Sequence, residues 1–351
     1  MQPNLEPILL MLCHLWGNFQ RGCNGGVVLL SKHTTGKPAS GWVTGRNFVA
    51  ELGATQHPSA LPSSSWKTLK AVKTSMRSLE HLLQEVSASS NTLLNQITNV
   101  LLPAMIEAGS ETTSSSLNSA FKYLAAYPEV QQKVHEEISS VIGDERSPTF
   151  EDEESLPYVR AAVKEIFRLR PVTSLGSPHY TTEDLIYKDH FIPKGTVVAI
   201  CQYAAHYDET RYENPDAFQP ERYLGHTLKA GAYVAHPDPY QRDHFTFGAG
   251  RRICPGLHLA ENSMFIVLAK ILWAFELKPP LLFDKVEEKL DLSDQAYEPG
   301  MNTLPKTYRL RFVPRSPARE AKLLQEWEKA KADGYWLGNL RVNAEGVVDR
   351  G

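Results

Sequence analysis

The sequence predicts a mainly α fold with small β-sheets, and three observations predict it. The run from about Thr92 to Ala126 is apolar nearly all round, at Leu93, Leu94, Ile97, Val100, Leu101 and Met105. A helix apolar on every face belongs inside a protein. A second apolar helix, Leu257 to Phe275, follows a glycine-rich loop that holds one cysteine. The strand-like runs are short by comparison: Leu185–His190, Phe191–Ile200 with Pro193-Lys194-Gly195 as a turn signal, and Thr307–Phe312.

A chain of 351 residues suits one large domain or two ordinary ones. A net charge of −3 with 22% charged residues suggests no nucleic-acid partner and no polybasic contact with membranes. The four cysteines, Cys13, Cys23, Cys201 and Cys254, are too few and too scattered for a disulfide framework, which fits a reducing compartment. The apolar run Ile8–Cys13 falls far short of the ~20 residues that span a bilayer. Glu6 precedes it and no basic flank does, so neither an anchor nor a signal peptide is expected. Three segments are expected: 1–65, poorly readable; 66–317, the principal domain; and 318–351, a charged helix and tail.

In residues 1–65 glycines at 22, 25, 26, 36, 41, 45 and 53 interrupt every periodic pattern, and Pro58–Ser65 reads as a Ser/Pro linker. Helical spacing begins at Trp66–Val86, through Leu69, Val72, Met76, Leu79, Leu82 and Leu83. Within Thr92–Ala126, Pro103 is expected to bend the helix. Pro128 opens a helix over Glu129–Val141 that Gly143 closes. The acidic stretch Asp144–Glu154 reads as a solvated loop and cap. Leu156–Leu169 is the next helix, ended by Arg170-Pro171. It carries Glu165 and Arg168 at i, i+3, on one face and able to pair. Glu320–Ala332 is a charged helix without a functional reading.

The chemistry concentrates at Phe247-Gly248-Ala249-Gly250-Arg251-Arg252-Ile253-Cys254-Pro255-Gly256. Pro255 and Gly256 are expected to open the following helix, with proline at its first position. Cys254 then sits near the N-cap, where free N–H groups and the positive helix end favour a thiolate. Gly248 and Gly250 can take positive φ and let the backbone approach something flat and large. Arg252 offers a guanidinium to an acidic partner beside the sulfur. The blander alternatives are a small buried cysteine in a turn, or half of a zinc site with His258. Zinc needs three or four ligands, and no second cysteine lies nearby.

This loop resembles the heme-binding loop of the cytochromes P-450, whose Phe-x-x-Gly-x-Arg-x-Cys-x-Gly pattern is matched at Phe247, Gly250, Arg252, Cys254 and Gly256. Ala108-Gly109-Ser110-Glu111-Thr112-Thr113 resembles the family's oxygen-activation motif, and Pro220-Glu221-Arg222 its Pro-Glu-Arg segment. The pair Trp42 and Arg46 echoes a propionate-binding pair, but glycines at 41 and 45 argue against a helix there. The resemblance covers about Thr92–Pro314 and implies the C-terminal half to two-thirds of the family's fold.

It implies heme b (iron protoporphyrin IX) with Cys254 as axial iron ligand, its thiolate pushing electron density through iron. Arg252 and His179 are implied propionate anchors. Gly109 leaves room for dioxygen, and Thr112 with Glu111 is the implied proton relay. Glu165, Arg168 and Arg222 are implied to lock the fold as a structural triad. Val172–Gly176 is expected to run extended along the cofactor. Ala108, Val172, Leu175, Met301 and Thr303 are implied pocket residues, the last two on a hairpin tip.

The implied reaction inserts one oxygen atom of O2 into a small apolar organic substrate. Electrons would come from NADPH through a flavoprotein reductase docking near Arg251. Ile-Pro-Lys-Gly-Thr and Asp-Pro-Tyr-Gln-Arg-Asp-His are similar to fungal secondary-metabolite oxidases. One departure stands out: only about 90 residues precede the oxygen-activation helix, most of them unlike the family's long, usually endoplasmic-reticulum-anchored N-terminal portion. The alternative is therefore a shortened, non-catalytic remnant.

Overall fold

The computed structural model describes residues 27–30, 92–282, 286–333, 335–337, 340–342 and 348–349. The expected helix Trp66–Val86, the Trp42–Arg46 pair and the Pro58–Ser65 linker lie outside the described residues. The described residues fall into two compact units: 27–30 with 112–313, and 92–111 with the described residues from 314 onward. The cysteine loop belongs to the former.

Helix α1, Thr92–Ala126, continues without a break through Pro103. From Thr113 to Ala125 every side chain is buried, including Ser114, Ser115, Ser116, Asn118, Ser119 and Lys122. Helices α2 (Pro128–Ile142) and α3 (Pro157–Leu169) both start on a proline, where the missing N–H costs nothing. Helix α6, Leu257–Ala274, buries many apolar side chains in the core, including Met264, Phe265, Leu268 and Trp273. Between α3 and α6 lie the short helices α4 (Gln202–His206) and α5 (Ala230–Val234). Among the described residues α6 alone is long and apolar enough to cross a membrane, and it is mostly buried inside the protein.

Polar side chains inside this core are used as ties, because an unpaired buried polar group is costly. Gln131 on α2 donates to the carbonyls of Leu124 (3.0 Å) and Leu277 (2.9 Å) and accepts from the Leu277 N–H (2.7 Å). One amide thus joins α1, α2 and strand β6 (Phe275–Lys278).

The acidic stretch departs from its expected solvated character. Asp152 and Glu153 are buried, and Arg146 grips Asp152 through two nitrogens at 2.6 and 2.7 Å. That fork, chiefly, holds the Asp152 carboxyl down at about 2. Glu153 pairs with Lys229 and Arg160.

The sheets are small. Strand β1 (Val27–Leu30) runs parallel to β9 (Tyr308–Pro314), which also neighbours β6. Strands β2 (His179–Tyr180) and β5 (Val197–Val198) pair, as do β3 (Leu185–Tyr187) and β4 (His190–Ile192), and β7 (Tyr297–Glu298) and β8 (Leu304–Pro305). The expected strand Leu185–His190 splits at Lys188, which takes φ 52° in the β3–β4 turn, and Gly195 at φ 80° makes the next turn. Val172–Gly176 is a bend and turn, not an extended segment. Gly176 at φ 63° closes it by donating to the Thr173 carbonyl (2.9 Å), and a Cβ there would stand 3.0 Å from the Ile200 carbonyl.

In the other unit, α7 (Pro317–Asp333) precedes an antiparallel sheet of β10 (Tyr335–Leu337), β11 (Leu340–Val342) and β12 (Val348–Asp349).

Candidate heme-thiolate site

The cysteine loop is a series of short backbone bonds. Gly248 N–H donates to the Phe245 carbonyl (2.8 Å), Ile253 N–H to Gly250 (3.2 Å) and Cys254 N–H to Phe247 (3.0 Å). Gly248 and Gly250 take φ of 75° and 71°, where other residues are strained. A Cβ at either would meet no atom within 4 Å, so conformation demands these glycines and open space lies beside them.

The N-cap of α6 is Gly256, so Pro255 precedes the helix and Cys254 stands two residues before the cap. The helix thus begins at Leu257, two residues after the expected first position at Pro255. The Gly256 N–H still reaches the sulfur and favours its charge, but burial outweighs it and pushes the Cys254 thiol up. A thiolate here needs a cation or metal to offset its desolvation. Arg252 is exposed and, among the described residues, has no hydrogen-bond or ion-pair partner. Among the described residues no group of three or more His, Cys, Asp or Glu that could hold a metal ion is found, and so none around Cys254 and His258.

The stalk leading into the loop is clamped residue by residue. Lys164 of α3, 1% exposed, binds the Asp243 carboxylate at 2.5 Å. The hydroxyls of Tyr212 and Tyr223 donate to the Asp243 carbonyl at 2.8 and 3.1 Å. Phe245 N–H donates to His206 Nε2 (2.7 Å), and the Thr246 hydroxyl to the Phe167 carbonyl (2.6 Å). Phe247 packs edge-on against Phe167, ring centroids 5.1 Å apart. Position-by-position anchoring of this kind fixes where a downstream side chain points.

Behind the stalk, Glu165 and Arg168 are fully buried and joined by two bonds of 2.7 and 2.8 Å. Arg222 adds a third at 3.1 Å, and the Gln219 N–H a fourth at 3.0 Å. Arg168 also donates to the carbonyls of His206 and Ala217. Arg222 reaches those of Glu213 and Asn214.

The remaining candidates divide. Thr303 N–H donates to the Val172 carbonyl (2.6 Å), its hydroxyl meets that of Ser174 (2.8 Å), and its carbonyl accepts from Ser115 (2.8 Å). Val172 and Thr303 therefore meet beside α1, one turn from Thr112, whose own carbonyl accepts from Ser116. Thr112 is half-buried, with Glu111 one residue earlier on the helix; Ala108 is exposed. Leu175, Met301 and His179 are exposed, the last on β2. Ser115, Lys164, His206 and Asp243 had not been singled out from the sequence. Ser115 left a trace there, three residues beyond Thr112 on the same helix face, and Asp243 lies within the Asp-Pro-Tyr-Gln-Arg-Asp-His stretch.

His244, fully buried among Phe167, Phe247 and His206, has no hydrogen-bond partner for either ring nitrogen among the described residues, and Nε2 lies 4.0 Å from the Asp243 carboxylate. Burial, only partly opposed by Asp243, drops it from 6.5 to about 4. Between those values the unfolded chain binds more protons than the folded one, so stability falls as pH drops through that window. Urea unfolding at pH 7 and pH 5 is expected to show the loss, which for this one ring reaches about 3 kcal/mol by pH 4. Asn at 244 should flatten the slope.

The described residues form a mainly helical protein that clamps a glycine-opened loop around one half-buried cysteine. The family description "Cytochrome P450" matches residues 57–304. The cytochrome P450 monooxygenase pgmC of Aspergillus terreus is 50% identical over 244 residues, covering 70% of this chain and 46% of that protein. The monooxygenase yanC of Aspergillus niger is 42% identical over 230 residues, 65% of this chain and 43% of that one. A solved zebra fish cytochrome P450 with progesterone superposes with a TM-score of 0.50 at 30% identity, over 60% of this chain and 44% of that chain. The chain belongs to the cytochrome P450 family, whose members carry a heme held by a thiolate. It spans less than half the length of these relatives.

Proposed function

We propose that this chain is the cysteine-bearing part of a heme-thiolate monooxygenase that inserts one oxygen atom from O2 into a small apolar organic substrate, a step in secondary-metabolite biosynthesis. The observation that carries this reading is the loop itself: a half-buried sulfur, two positive-φ glycines beside open space, and an exposed Arg252. The residues fit a flat, anionic, iron-bearing group. Cys254 would hold the iron, Phe247, Gly250 and Gly256 shape the seat, and Arg252 and His179 meet the propionates. Heme held there would supply O2 activation, with one oxygen atom going to the substrate carbon and the other to water. The chain's own part is proton delivery through the Thr112 hydroxyl with Glu111 behind it, and substrate contact through Val172, Leu175, Met301, Thr303 and Ala108. Electrons would arrive from NADPH through a flavoprotein reductase on the exposed Arg251 side of the loop.

The test is heme titration of the purified chain, followed by reduction under carbon monoxide. A thiolate-type Soret band is expected; a colourless protein overturns the reading. Thr112→Ala should leave that band intact while product formed per O2 consumed falls at least about tenfold with a reductase and substrate present.

A second reading, a non-catalytic remnant, has its own observation. Tyr180, Ile186, Tyr187, Phe191 and Val197 are all more than 60% exposed on the small sheets. Apolar surface on that scale is what a heme domain short of its packing partners would show. Absence of heme uptake by a folded chain favours it.

A further inference from the structure

His206 stands between the buried Glu165–Arg168 pair and the cysteine loop, at the last residue of α4. Its backbone carbonyl accepts from Arg168 Nη1 at 2.9 Å, and its ring Nε2 lies 2.7 Å from the Phe245 nitrogen. A backbone N–H can only donate, so Nε2 is the bare nitrogen and the ring proton sits on Nδ1. The ring is fully buried, and burial keeps it neutral. A protonated ring would turn a donor toward Phe245 N–H and break the contact.

We propose that His206 is a positioning residue for the cysteine loop: a neutral, Nδ1-protonated imidazole that hands the register of the Glu165–Arg168 pair to Phe245. From Phe245 the register passes onward. The Phe245 carbonyl receives Gly248 N–H, and the Phe247 carbonyl receives Cys254 N–H. His206 thus joins the α3 ion pair to this loop with one residue holding both ends. Lys164 and the two tyrosines act on Asp243, two residues upstream, and Thr246 acts through its side chain. The hydrogen-bond link stands on the fold alone; its effect on iron ligation rests on the proposed function.

Side-chain reach supplies the test. A glutamine oxygen reaches the place of Nε2, whereas an asparagine oxygen reaches only that of Nδ1. In the full heme-free chain, the Phe245 amide should exchange slowly in the native protein and in His206→Gln. It should exchange about tenfold faster in His206→Asn, the size expected for one lost hydrogen bond. Amides of α6 from Met264 onward should be unchanged in all three. Equal Phe245 protection in a folded His206→Asn, or no rescue by a folded His206→Gln, overturns the proposal. If both variants unfold, nitrogen-15 spectra of the native rings decide: a protonated Nε2 on His206 overturns it, and a bare one supports it.

With heme supplied, His206→Asn should convert part of the ferrous–carbon monoxide band from the thiolate to the neutral-thiol type, and His206→Gln should not. Failure of heme uptake by the native chain sinks the proposed function and leaves the exchange result standing.

Discussion

Cys254→Ala is expected to abolish the thiolate-type carbon monoxide spectrum completely while leaving the polypeptide folded. The sulfur is only half-buried, and its removal leaves no large cavity in the core. What holds the loop is elsewhere: Lys164 on Asp243, His206 on Phe245, Phe167 on Thr246 and Phe247. Circular dichroism and the urea midpoint should therefore shift little, by no more than about 1 kcal/mol. A variant that kept the native spectrum would take the axial-ligand role away from this residue. One that unfolded would show that the loop depends on the sulfur for its shape.

Arg168→Ala is expected to have the largest effect on stability, roughly 3–5 kcal/mol, because it strands a buried carboxylate together with one buried and one half-buried carbonyl. Glu165 would keep Arg222 and the Gln219 N–H, so part of its charge stays compensated. The His206 and Ala217 carbonyls would lose their Arg168 donor. Lysine at 168 cannot supply the planar fork and should recover little. Arg222→Ala, at the 13%-exposed rim of the network, should cost distinctly less. Chemical unfolding of the three variants checks the order. Equal losses for Arg168→Ala and Arg222→Ala would mean that the Glu165–Arg168 pair is no more central than its neighbour.

Motifs whose residues act within one turn or one loop were readable in the chain. Glu165 and Arg168 are three residues apart on a helix, and helical geometry alone brings them together. The loop from Phe247 to Cys254 is equally local, and its two glycines occupy the positive-φ positions that their lack of a Cβ permits. The long helix Thr92–Ala126 was visible in its all-round apolar pattern, α2 in its initial proline, and the end of α3 in Arg170-Pro171. Strand β1 left no readable signal amid its glycines, since its partner β9 lies some 280 residues away in the chain. Cys254 shows the limit of local reasoning about charge. Proximity to a helix end suggested an eased thiolate, yet desolvation by the surrounding protein prevails.

By itself the sequence determined the periodicity of the helices, the pairing within α3, and the cysteine with its glycines. These follow from covalent spacing over a few residues. Only the tertiary structure decided that Lys164 meets Asp243 across 79 residues and that His206 meets Phe245 across 39. It likewise decided that Ser115 meets Thr303 across 188. Such contacts carry no periodic mark in the chain. They form because a buried polar group must find whatever partner the packing of distant elements brings within reach.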